Sequence, residues 1–143
     1  MEGKLLVYID ESTFHGWQKP TKIWLKRGLS FPIQDTRGKS ITVLGAIDKE
    51  AGLRHYMVVA ESNRTAIFVR FLYELCKKLK GSDAVLVLDN LSIHKTNDVK
   101  ILLQKFKDLC KFYLPPYSSD LNPIERFWRI TKEQWRKRLM EQY

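Results

Sequence analysis

The chain has 143 residues, with 25 Lys+Arg against 16 Asp+Glu, a formal net charge of +9 with histidine neutral. That length suits one domain and hardly two, and 44% hydrophobic against 29% charged residues support a buried core and exclude general disorder. No apolar run reaches the roughly 18–20 residues of a membrane span, and Asp10 interrupts the first apolar run too early for a secretory leader, so a cytoplasmic, non-membrane protein is expected. Cys76 and Cys110 are too few for a disulfide scaffold and too far apart for a CxxC pair; both are expected reduced and buried. A sequence pI near 9.6 is the electrostatic footprint of a nucleic-acid binder, without proving one.

Residues 4–9 (KLLVYI) predict a short buried strand ending at Asp10. Residues 12–38 are punctuated by Gly16, Pro20, Gly28, Pro32 and Gly38 and read as irregular, with one short strand at 22–25. The β-branched runs 40–47 (SITVLGAI) and 53–60 (LRHYMVVA), joined by DKEAG, predict a hairpin. From Thr65 to Leu79, Phe68, Phe71, Leu72, Leu75 and Leu79 recur at helical spacing, and Gly81 is a natural stop. AVLVL at 84–88 predicts a strand covered on both faces, ending at Asp89-Asn90. A helix over 97–109, a strand over 111–114, a break at Pro115-Pro116 and a long helix from Asn122 complete the chain. The order β, β, β, α, β, α, β, α predicts an α/β fold: a mixed five-stranded sheet, three antiparallel strands then parallel βα units, flanked by helices.

Asp10 and Asp89 each follow a predicted strand, where α/β proteins place chemistry. If the first and fourth strands are parallel neighbours, the two carboxylates come side by side. That is unfavourable without a cation or a proton between them, and hard oxygen donors favour Mg²⁺ or Mn²⁺. Each acid also has a plain reading, Asp10 as a surface residue at a strand exit and Asp89-Asn90 as a turn. Glu125 stands three residues after Asn122, with Pro123 between them at the first helical position. A capping carboxylate is there as good a reading as a functional one.

Residues 114–128 (LPPYSSDLNPIERFW), preceded by 87–95 (VLDNLSIHK) and 8–14 (YIDESTF), closely resemble the catalytic domain of mariner-like DDE transposases, the bacterial insertion-sequence branch above all. The likeness covers nearly the whole chain in the right order. Its last block is long and specific, and the 35 residues between Asp89 and Glu125 suit the superfamily's spacing. The resemblance implies an RNase H-like fold with Asp10, Asp89 and Glu125 as an acidic triad. It implies two Mg²⁺ ions, for which Mn²⁺ substitutes, and DNA strand cleavage and strand transfer as the activity. Two such ions about 3.5–4 Å apart activate a water and stabilise the leaving alkoxide, with Asp89 the natural bridging ligand. Glu11, matching the family's Asp-Glu pair, is the weaker candidate for the first acid. The same resemblance implies DNA partners, transposon ends and target, and a homodimer in the active complex.

Around the triad, Asn90 and His94 belong to the matched DN…H block. Candidate DNA contacts are His94, Lys95, Tyr117, Ser118, Arg126 and Arg129; His94 alternatively supports the metal site or is a plain loop histidine. Pro115, Pro116 and Ser119 form a stiff approach to Glu125, and Asn122 and Pro123 fix the helix start. Lys19, Lys22, Lys26 and Arg27 among Trp17, Trp24 and Phe31 suit a phosphate backbone with exposed bases, a protomer contact, or a surface hairpin. Lys100, Lys105, Lys107 and Lys111 form a further basic group, DNA-facing or simply solvated. No helix-turn-helix segment precedes the first strand, so the expectation over 1–143 is a catalytic domain without end-reading domains. The competing readings are an RNase H-like nuclease and a non-catalytic nucleic-acid-binding or dimerisation module derived from a transposase.

Overall fold

In the computed structural model, which describes residues 3–15, 40–50, 52–59, 64–89, 92–116 and 118–141, five strands form one sheet. They are β1 (Leu5–His15), β2 (Ser40–Asp48), β3 (Leu53–Val59), β4 (Ala84–Leu88) and β5 (Cys110–Tyr113), in the order β3-β2-β1-β4-β5. The helices are α1 (Arg64–Leu79), α2 (Asn97–Lys105) and α3 (Ile124–Glu141), with 3-10 turns at Ser92–Lys95 and Ser119–Leu121. The β1–β2 and β2–β3 pairings are antiparallel, and the β1–β4 and β4–β5 pairings parallel. The mixed topology read from the chain is the one observed.

Side chains alternate across a strand, and β1 sorts its residues accordingly. Val7 and Ile9 join Phe68, Phe71, Leu72 and Leu75 of α1 and Val99 of α2 in the main core. Tyr8 and Phe14 face the opposite side, packing with Ile124 and Trp128 of α3. Every residue of β4 is buried, because Ala84, Leu86 and Leu88 meet α1 while Val85 and Val87 pack with Leu114 and Tyr8. A central strand covered on both faces has no polar alternation to show. Full burial of each large side chain such as Phe68, Phe71 or Leu72 contributes roughly 1.5–3 kcal/mol.

Three boundaries differ from expectation. β1 continues to His15, because its polar second half pairs with β2 (Glu11↔Leu44, Thr13↔Thr42); Asp10 is therefore inside a strand and not at its exit. α2 stops at Lys105, where the Phe106 N–H bonds the Leu103 carbonyl. A further turn, Leu109 N–H to Phe106 carbonyl, leads into β5 one residue early. Gly81, at φ +84, supplies the left-handed residue that ends α1. The strand at 22–25 and the basic, aromatic segment around it lie outside the described residues. Both cysteines are free; Cys76 is buried, which pushes its thiol up to about 12, but Cys110 is exposed on the outermost strand, against expectation.

Candidate active site

The parallel register Tyr8↔Val87, carried two residues further, sets Asp10 beside Asp89. Asp10 points to the α3 side, in phase with Tyr8 and Phe14, and Asp89 follows the last residue of β4. The start of α3 is pinned on that side by Ile124 and Trp128, which are 0% and 4% exposed. Glu125 lies between them on the first turn. The capping is done by Asn122, whose Oδ1 accepts the Ile124 N–H at 3.2 Å, with Pro123 in the position that lacks a needed donor. Glu125 itself is exposed.

Electrostatics ties the three acids together. Burial, above all, raises the Asp10 carboxyl from its ordinary 3.8 to about 7, and the charges of Asp89 and Glu125 push it the same way. The Glu11 backbone N–H and the Trp128 indole oppose the rise. The indole Nε1–H donates to Asp10 Oδ2 at 3.2 Å. Gly45, the cross-strand partner of Asp10, makes room for that ring: a Cβ there would lie 2.8 Å from the Trp128 Cη2. Glu11 points to the other face, where Arg64 pairs with it at 3.2 Å. Of the Asp-Glu pair, Asp10 is thus the residue facing Asp89 and Glu125.

His94, expected as a DNA contact, is fully buried and unavailable to one. Its Nδ1 lies 2.5 Å from Asp89 Oδ1 and 3.4 Å from the Asp89 carbonyl oxygen. The ring stacks on Phe68 with centroids 4.3 Å apart, and the Tyr113 hydroxyl donates to the His94 carbonyl at 2.8 Å.

The pattern of the DDE superfamily endonucleases matches residues 5–143. The chain belongs to that family. Its fold is that of Mos1 mariner transposase catalytic domains. A Mos1 transposase paired-end complex with the left transposon end superposes with TM-score 0.72 at 19% identity, over 90% of this chain and 41% of that one. The Mos1 strand transfer complex gives 0.64 at 22%, over 82% and 37%. The catalytic domain of Mos1 mariner transposase gives 0.63 at 16%, over 90% and 58%. An uncharacterized Sinorhizobium fredii protein, y4pE/y4sA (strain NBRC 101917 / NGR234), is 34% identical over 55 residues, 38% of each chain. The chain therefore spans about two fifths of that relative and of the first Mos1 chain.

Among the described residues of this DDE endonuclease, no group of three His, Cys, Asp or Glu side chains is placed to hold one metal ion. The donor chemistry nevertheless suits one. Three carboxylates are hard ligands, and burial first, then the charges of Asp89 and Glu125, raises the proton affinity of Asp10. Lys95 is exposed with its Nζ 5.2 Å from the Tyr113 ring centroid. The Ser118 hydroxyl donates to the Pro116 carbonyl at 3.3 Å, and Arg126 and Arg129 are exposed on α3. Asn90 and Tyr117 lie outside the described residues. Lys100, Lys107 and Lys111 line a hollow of about 350 Å³ with Leu103, Gln104 and Leu109. That hollow is on the α2 side of the sheet, across from α3. No helix among the described residues is long and apolar enough to cross a membrane.

Two residues of the site escape a reading by spacing, Trp128 and Gly45. Their signals are a tryptophan one turn after Glu125 and a glycine inside a β-branched run, which marks close approach of another group.

Proposed function

We propose that this DDE chain hydrolyses DNA phosphodiester bonds and joins the resulting 3′-hydroxyl to target DNA, as a transposase catalytic domain. Asp10, Asp89 and Glu125 are the catalytic, metal-holding residues in this reading. The observation that carries it is the approach of Asp89, just past β4, and Glu125, in the first turn of α3, to Asp10 on β1, near enough for both charges to act on its carboxyl. Acids drawn from three separate elements, two of them raising the proton affinity of the third, suit a hard divalent cation, which would take the place of the proton.

Bound there, Mg²⁺, or Mn²⁺ in its place, supplies charge for the leaving oxygen and a water activated near neutral pH. Asp10 must release its proton to take part as a ligand. Glu125, exposed on its helix turn, is the acid that faces solvent and incoming DNA. In cleavage a water oxygen bonds to phosphorus as the P–O3′ bond breaks and the 3′-oxygen takes up a proton. In joining, that 3′-hydroxyl takes the place of water. The reading extends to two ions, which Asp10, Asp89 and Glu125 would hold, to transposon ends and target as DNA partners, and to a homodimer. Paired-end and strand-transfer complexes among the structural relatives support it. A cytoplasmic location, nucleoid-associated in a bacterial cell, belongs to the same reading.

The test is nicking of supercoiled plasmid with Mn²⁺ or Mg²⁺. Wild-type protein is expected to nick, and Asp89→Asn to lose at least about 100-fold in rate while its DNA affinity in gel shift stays within about twofold. An Asp89→Asn protein as active as wild type overturns the assignment.

A further inference from the structure

Each of the two strand acids is met by a buried aromatic ring carrying an N–H. Trp128 Nε1 donates to Asp10 Oδ2 at 3.2 Å. The indole is held in place by edge contacts to Phe14 (6.2 Å, 76°) and Phe127 (5.4 Å, 66°), and by the bare backbone of Gly45 beneath it. His94 Nδ1 has two oxygens of Asp89 within reach, the carboxylate Oδ1 and the backbone carbonyl. Both are acceptors, so Nδ1 carries the hydrogen. The other nitrogen, Nε2, is buried with no hydrogen-bond partner among the described residues, so the imidazole spends its polar contact on Asp89 alone. Phe68 behind the ring and Tyr113 on its carbonyl fix its place.

We infer that Trp128 and His94 are positioning residues: each pins one oxygen of its carboxylate by a ring N–H and thereby turns the other oxygen, Asp10 Oδ1 or Asp89 Oδ2, towards the shared cation site. Gly45 belongs to the same device, because a side chain there displaces the indole. The inference rests on the metal-holding role of Asp10 and Asp89 proposed above. A ligand whose orientation is set by a second group binds metal more tightly by about 10–100-fold than one left to swing.

The experiment is calorimetric titration of the full chain with Mn²⁺ alone, with folding checked by circular dichroism and thermal midpoint. Wild type is expected to bind and Asp89→Asn to fail. Trp128→Phe keeps a ring without the N–H and is expected to weaken binding about tenfold or more. His94 is tested by a pair. His94→Asn keeps an amide N–H near the Nδ1 position and stays within a few-fold of wild type; His94→Gln moves the donor outward and loses about tenfold. Gly45→Ala touches neither acid nor ring chemistry and is expected to fall with Trp128→Phe. It decides the Trp128 half of the inference if Trp128→Phe does not fold. Folded Trp128→Phe (or Gly45→Ala) and His94→Gln proteins with wild-type Mn²⁺ affinity overturn the inference while leaving the triad standing. Absence of Mn²⁺ binding by wild type, with DNA present, overturns the triad itself.

Discussion

Asp10 is a half-buried carboxyl with two further acids acting on it. Its carboxyl sits at about 7 against an ordinary 3.8, first because it is buried and then because Asp89 and Glu125 repel its charge. The folded protein therefore keeps a proton there that the unfolded chain has released. The associated stability is fully present below about pH 4 and is lost as pH rises through about 7. Asp10→Asn is neutral throughout. In a chelating buffer it is expected to melt with wild type at pH 4, and on the order of 10 °C higher at pH 8. Thermal midpoints at the two pH values check this, and an equal offset at both contradicts the assigned cause. The motif blocks single out the acids of the proposed site, and the choice of Asp10 over Glu11 follows from strand parity, which sends Glu11 to Arg64. The Trp128–Asp10 bond was not legible. It joins residues 118 apart in the chain, and no local pattern reports a contact made only after α3 docks.

At the scale of elements, the β2–β3 hairpin shows how one side chain specifies a turn. Asp48 Oδ1 accepts the N–H groups of Glu50 and Gly52 at 3.0 and 2.8 Å, and Arg54 pairs with Oδ2 at 2.9 Å. The Gly52 N–H, more than any other group, holds the Asp48 carboxyl below the ordinary range. Asp48→Ala is expected to cost about 2 kcal/mol in urea unfolding, with Arg54→Ala costing less because that side chain is largely exposed. DKEAG between two β-branched runs made this hairpin readable. Helix α1 and β4 were readable too, one from its 3.6-residue spacing and the other from its unbroken apolar run. The second half of β1 was not, because Ser12 and Thr13 take their strand geometry from β2 and not from their own hydrophobicity. The turn Ser92–Lys95 is only four residues long, too short to leave a period, although it carries His94.

On the scale of the whole molecule, the sheet divides the surface into two sides with different work. Asp10, Glu125, Arg126 and Arg129 share the α3 side, while Lys107 and Lys111 line the hollow on the α2 side. If DNA approaches the acids, the net charge of +9 acts unequally. Replacing Arg126 and Arg129 by Ala is expected to reduce the slope of log affinity against log salt by about 2, and replacing Lys107 and Lys111 to change it by less than about 0.5. Filter binding across a salt series measures both; equal losses remove the assignment of sides.

The helix α3 carries Glu125 and the Trp128 donor, and it anchors them by Ile124, Trp128 and a Trp135 stacked 6.1 Å from Phe14. In the proposed centre, undocking that one helix would remove a ligand and the brace of a second in a single event, leaving only Asp10 and Asp89 on the sheet. A cation held between helix and strands would act as a clasp, its binding free energy reappearing as docking free energy for α3.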